Sequence, residues 1–131
     1  MTATQGLATF LALTVTCLAL VVWTGLKSKR KPHFILVACA VVLLGVTIYY
    51  AEQLGLDYDL ATAGVITPIH LAIAKVTVFA YLLPVVSGFL TLRDIRRKRV
   101  HFKLAMLVLF MTGLTFVTGL WMVLASDPIA G

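Results

Sequence analysis

Five side chains in this 131-residue sequence could do chemistry away from its basic turns: His33, His70, His101, Lys75 and Glu52. Each lies inside or at the edge of a long apolar run, where a polar group is costly unless it is paired or functional. His33 and His101 each follow a basic cluster, which predicts that they occupy the first turns of two helices at one depth. Two imidazoles at one depth can take the two faces of a haem iron. The expectation is a haem b with His33 and His101 as axial ligands and with its propionates turned toward Lys31, Arg99 or Lys103. The competing reading of the same pair is two interfacial histidines bonded to water and headgroups.

Counting at about 100° per residue, the His101 face continues through Ala105, Val108, Thr112, Thr115 and Gly119. Such small side chains would leave room for a flat cofactor or let helices approach closely. His70 sits near the opposite end of its run, on a face with Ala74, Thr77, Tyr81, Pro84 and Gly88. It is a second candidate iron or metal ligand, with Met122 and Glu52 near its level, or a satisfied core histidine. Lys75 stands outside the basic clusters, and a lysine at a helix centre costs about 2.5 to 3.5 kcal/mol on the insertion scale. It should therefore face an anion, either a propionate, headgroup or substrate, or else Glu52 or Asp57 reached by snorkelling. Cys17 and Cys39 read as small apolar residues, and Trp23 and Trp121 as interfacial anchors.

The elements that must position these groups follow from composition. With 61% hydrophobic and only 12% charged residues, the chain cannot cover a soluble surface, so its apolar excess must face hydrocarbon. Continuous apolar runs exclude a transmembrane barrel, and helices are the remaining way to satisfy the backbone in lipid. The expected fold is an all-α membrane protein, an up-down bundle of four transmembrane helices forming one domain, with spans near 7–26, 33–51, 68–92 and 102–125. Lys27, Lys29, Arg30 and Lys31 form one basic cluster; Arg93, Arg96, Arg97, Lys98, Arg99 and Lys103 form the other. The net charge of +6 therefore reports topology rather than nucleic acid. Both basic loops should be cytoplasmic and both termini outside. No Lys or Arg precedes the first run, unlike a secretory signal peptide, so that span should be retained. Pro84 should kink the third span, and no internal repeat stands out.

The runs Lys31-Pro32-His33-Phe34-Ile35-Leu36, Ile69-His70-Leu71-Ala72-Ile73-Ala74 and His101-x3-Ala105-x12-Thr118-Gly119 resemble the CtaM/YozB-type family of small four-helix bacterial membrane proteins. The likeness covers roughly residues 28–124. It implies a role in assembly or cofactor maturation of haem-copper terminal oxidases, with His33, His70 and His101 at three of the family's histidine positions. The chain departs from the pattern at Tyr50-Ala51-Glu52, where a further histidine is expected. It departs again at Met106, Phe110, Thr112 and Leu114, where Arg, Pro, Trp and Tyr are expected.

No Asp or Glu lies within a span, which argues against proton-coupled secondary transport, and no serine can be placed with a histidine and a carboxylate for hydrolysis. Enzymatic activity is not expected. The reading is a haem b-binding protein of the bacterial inner membrane acting in oxidase biogenesis or electron transfer, with His33, His101, His70 and Lys75 as the cofactor-binding set. The alternatives are a cofactor-free assembly partner working through helix contacts, or a quinone-handling protein using His70, Tyr81 and Lys75. Candidate partners are membrane lipid, a respiratory oxidase subunit, a quinone or a second copy of the chain.

Overall fold

A computed structural model describes residues 1–130. The protein is all-α. Its helices are α1 (Ala3–Leu26), α2 (Arg30–Gly55), α3 (Ile66–Ala80), α4 (Leu82–Arg93) and α5 (Lys98–Ala125). Since α3 and α4 follow one another with only Tyr81 between them, the chain has four segments long and apolar enough to cross a membrane. Extended segments among the described residues are two residues each, Tyr58–Asp59 and Asp127–Pro128.

Each helix overruns its apolar span because the flanking polar turns are also helical. α1 starts at Ala3 because Thr2 and Gln5 form a capping box, each side chain accepting from the other's backbone N–H. Pro32 and Pro68 sit in first turns, where a missing N–H costs nothing. Pro84 cannot donate to the Ala80 carbonyl, and the third span breaks at Tyr81, whose N–H is shared between the carbonyls of Thr77 and Val78. The loop after α2 contains a 3-10 turn, Leu60–Ala63, capped by the Asp59 side chain and closed by Gly64 at φ 71°. Leu54 is buried near the end of α2.

The chain divides into two compact units, Met1–Tyr58 and the part from Asp59 onward. The first is the α1/α2 hairpin. Its tight turn is a Schellman closure: Lys29 N–H reaches Thr24 O at 3.0 Å, Ser28 N–H reaches Gly25 O at 3.1 Å, and Ser28 takes φ 56°, unusual for a residue with a Cβ. In the second unit α3 and α4 together run antiparallel to α5, and Asp127 N–H donates to Thr62 Oγ1 beyond the end of α5.

The distribution of polarity is inverted relative to a soluble domain. Large apolar side chains such as Phe79, Phe110 and Leu124 are exposed, while every buried polar residue described is a threonine or serine. In hairpin one Thr14 and Thr47 meet at 2.8 Å, and Cys17 Sγ–H donates to Leu36 O. In hairpin two Thr77 meets Thr115 at 2.9 Å and Tyr81 meets Thr112 at 2.7 Å. Lipid tails give helices no hydrophobic reason to associate, so close packing and such cross-helix hydrogen bonds hold each hairpin, each bond contributing on average about 0.6 kcal/mol.

Candidate functional site

His33 and His101 are each the fourth residue of their helix, α2 and α5, next to the basic turns. Each meets a hydroxyl–glycine pair on the helix that precedes it in the chain. His33 Nδ1 lies 3.0 Å from Val21 O and 3.3 Å from Thr24 Oγ1, and its ring lies over Gly25. His101 Nδ1 lies 3.0 Å from Ser87 Oγ, with its ring over Gly88. The same device recurs at the other end of hairpin two, where His70 Nδ1 lies 3.0 Å from Thr118 Oγ1 and the ring presses on Gly119.

The acceptors decide the tautomer. A carbonyl can only accept, so His33 Nδ1 carries the proton that goes to Val21 O. Thr118 sends its single hydroxyl proton to Leu114 O at 2.8 Å, which leaves its oxygen to accept from His70 Nδ1–H. Ser87 Oγ lies 3.3 Å from Pro84 O and 3.0 Å from His101 Nδ1, so its single proton has two acceptors within reach. In His33 and His70 the lone pair of the neutral ring then sits on Nε2, the form in which a histidine ligates a metal while its other nitrogen donates to the protein.

Sequence reasoning missed these partners. Thr24-Gly25, Ser87-Gly88 and Thr118-Gly119 are a recurring Thr/Ser-Gly pair, and that recurrence was a usable signal. A fourth copy, Thr112-Gly113, holds Tyr81 rather than a histidine. The pairs also give the two hairpins a resemblance that the sequence conceals, because the connecting turns differ in length.

The small-residue face of α5 does not leave an open slot. Val108 is the most buried side chain at 2% exposure, Thr112 and Thr115 bond to Tyr81 and Thr77, and His70 covers Gly119. The residues are small because α3 and α4 pack against them. On α2, Ala40 and Thr47 are buried and Thr47 bonds Thr14 of α1, for the same reason.

Lys75 lies on an exposed face of α3 and makes no ion pair among the described residues. Glu52 is also exposed. Replacing Lys75 with Met should change the unfolding free energy in detergent by less than about 1 kcal/mol, since no partner is orphaned. A clearly larger loss would mean that an anion holds Nζ. Trp23 is half-exposed beside the first basic turn, with Lys29 Nζ 4.8 Å from its ring centroid, as suits an interfacial anchor.

Among the described residues no group of three or more His, Cys, Asp or Glu side chains gathers into a metal cluster. No family model, curated protein or solved structure matches the chain.

Proposed function

We propose that this is a haem b-binding integral membrane protein, with His33 and His101 as axial ligands, serving assembly or cofactor maturation of a haem-copper terminal oxidase or its associated electron transfer. The observation that carries the proposal is the Nδ1 contact of each ring, to Val21 O and Thr24 for His33 and to Ser87 for His101. The carbonyl contact of His33 leaves its ligating lone pair on Nε2, and the contacts of both rings fix the ring planes. Bound haem would supply a one-electron centre, and the chain's own residues would orient the imidazoles and surround the group with apolar helix. The oxidase connection rests on the resemblance of the His33, His70 and His101 runs to the CtaM/YozB-type proteins.

The quinone reading has less support, because the Tyr81 and Thr77 hydroxyls are taken by Thr112 and Thr115 and His70 Nδ1 by Thr118. The deciding experiment is an absorption spectrum of the purified protein, oxidised and reduced. Sharp reduced bands of a low-spin, six-coordinate haem are expected, and a preparation grown with ample haem that shows none would defeat the proposal.

We place the protein in a bacterial inner membrane with both basic turns cytoplasmic and both termini outside, since ten clustered charges of one sign orient the helices. Single cysteines near either terminus, in a variant lacking Cys17 and Cys39, should react with an impermeant thiol reagent added to intact spheroplasts. Labelling only after lysis would reverse the orientation.

A further inference from the structure

We infer that the exposed face of α5 seats an anionic phospholipid of the leaflet beside the basic turns, with the headgroup phosphate on Arg96, Arg99 and Lys103 and an acyl chain along Leu107, Phe110 and Leu114. The inference goes beyond the haem reading and does not rest on it.

The six residues form one stripe. The 3-10 turn Ile95–Arg97 leads directly into α5, so Arg96 eclipses Arg99 one turn on, and Lys103, Leu107, Phe110 and Leu114 follow at steps of three and four residues. All six side chains are exposed, Phe110 at 70%. At about 100° per residue, Arg99 and Lys103 lie roughly 160° round α5 from His101, whose ring packs on Ser87 and Gly88 of α4. The cationic end of the stripe therefore faces away from the imidazole and from α4.

Charge decides the occupant. Asp94, the one carboxylate in the turn, is already engaged: its Oδ1 accepts from Arg96 N–H at 3.0 Å, and its Oδ2 lies 3.9 Å from Arg97 Nε. Among the described residues no carboxylate forms an ion pair with Arg96, Arg99 or Lys103. A second copy inserted in the same sense would lay cations against cations on this face, which disfavours self-association there. An anionic phospholipid suits both halves of the stripe, since arginine binds phosphate through paired N–H donors and the apolar run takes hydrocarbon beside it. The first basic turn is a poorer seat. Three of its four cations are lysines, which lack that paired geometry, and Lys29 lies over Trp23.

The test puts a fluorophore on the stripe. Leu107→Trp, in the full chain carrying Trp23→Phe and Trp121→Phe, is reconstituted in bilayers of phosphatidylcholine and phosphatidylglycerol, with brominated acyl chains on one lipid or the other as quenchers. At low salt phosphatidylglycerol should be preferred at this face by roughly tenfold. Arg96→Gln with Arg99→Gln should remove most of the preference, and Arg96→Lys with Arg99→Lys, which restores the charge, should recover it. Lys29→Gln with Arg30→Gln should leave it within about twofold of the parent. Equal quenching by the two lipids in the parent overturns the inference, as does a loss of the same size in the Lys29 and Arg30 pair, which would reflect net charge alone. Quenching by neither lipid would mean that protein covers the face, with the same result. If inorganic phosphate at matched ionic strength abolishes the preference, the stripe binds phosphate alone and the lipid seat fails.

Discussion

Replacing His33 with alanine, and separately His101, is expected to abolish the sharp reduced bands of a low-spin haem or convert them to those of a five-coordinate one. Under the proposed ligation each imidazole supplies one iron ligand, so neither change should be compensated by the other histidine. The fold should survive both changes. Thr24 keeps its bond to Leu20 O at 2.8 Å, and Ser87 keeps Pro84 O, so neither truncation strands a buried hydroxyl. Loss of the bands in a protein of unchanged helix content and detergent elution would then report ligation rather than collapse. His70→Ala serves as the control: its ring lies at the opposite end of hairpin two, against Thr118 and Gly119, and the bands should persist. If haem is bound and its spectrum survives His33→Ala and His101→Ala alike, the assigned ligands are wrong.

The helices were legible because hydropathy alone forces them. A chain with so few charges has no other way to satisfy its backbone, and Pro84 marked the break at Tyr81 from the chemistry of its missing N–H. What hydropathy does not encode is the partner across a hairpin. Thr14 and Thr47 are 33 residues apart, His70 and Thr118 are 48 apart, and no helical periodicity links one helix's register to another's. That is why the face of Thr112, Thr115 and Gly119 carries two readings in the sequence: small residues look alike whether they make room for a cofactor or for a neighbouring helix. The imidazoles themselves were visible because isolated polar groups in apolar runs stand out. Their hydroxyl partners were not, because a threonine can bond its own helix and so is unremarkable in a span. The internal likeness of the two hairpins was hidden for a related reason. His33 follows Thr24 by nine residues while His101 follows Ser87 by fourteen, so an alignment by spacing misses what the fold places alike.

A series of glycine-to-alanine changes should rank by the space each glycine has, and the largest losses should fall at Gly6 and Gly119. A Cβ on Gly119 would come within 2.8 Å of His70 Cε1, and one on Gly6 would fall on the Tyr50 ring. Neither ring is free to yield, because His70 is tied to Thr118 and Tyr50 is stacked on Phe10 with centroids 5.4 Å apart. At Gly45 and Gly113 nothing lies within 4 Å, so alanine there should be neutral or stabilising through its higher helix propensity, worth up to about 1 kcal/mol. Overpacking costs about 1 to 3 kcal/mol, which outweighs that gain at the two crowded positions. Gly25 and Gly88 should fall between, since a Cβ would sit 3.1 and 3.3 Å from His33 and His101 and needs a shift of only tenths of an ångström. Thermal unfolding in one detergent would give the order. A double change sharpens the test: Gly119→Ala made together with His70→Ala should cost little more than His70→Ala alone, because the ring that the new methyl strikes is gone. If Gly119→Ala is as stable as Gly113→Ala, or if its cost persists without the imidazole, the close seating of His70 on α5 is incorrect.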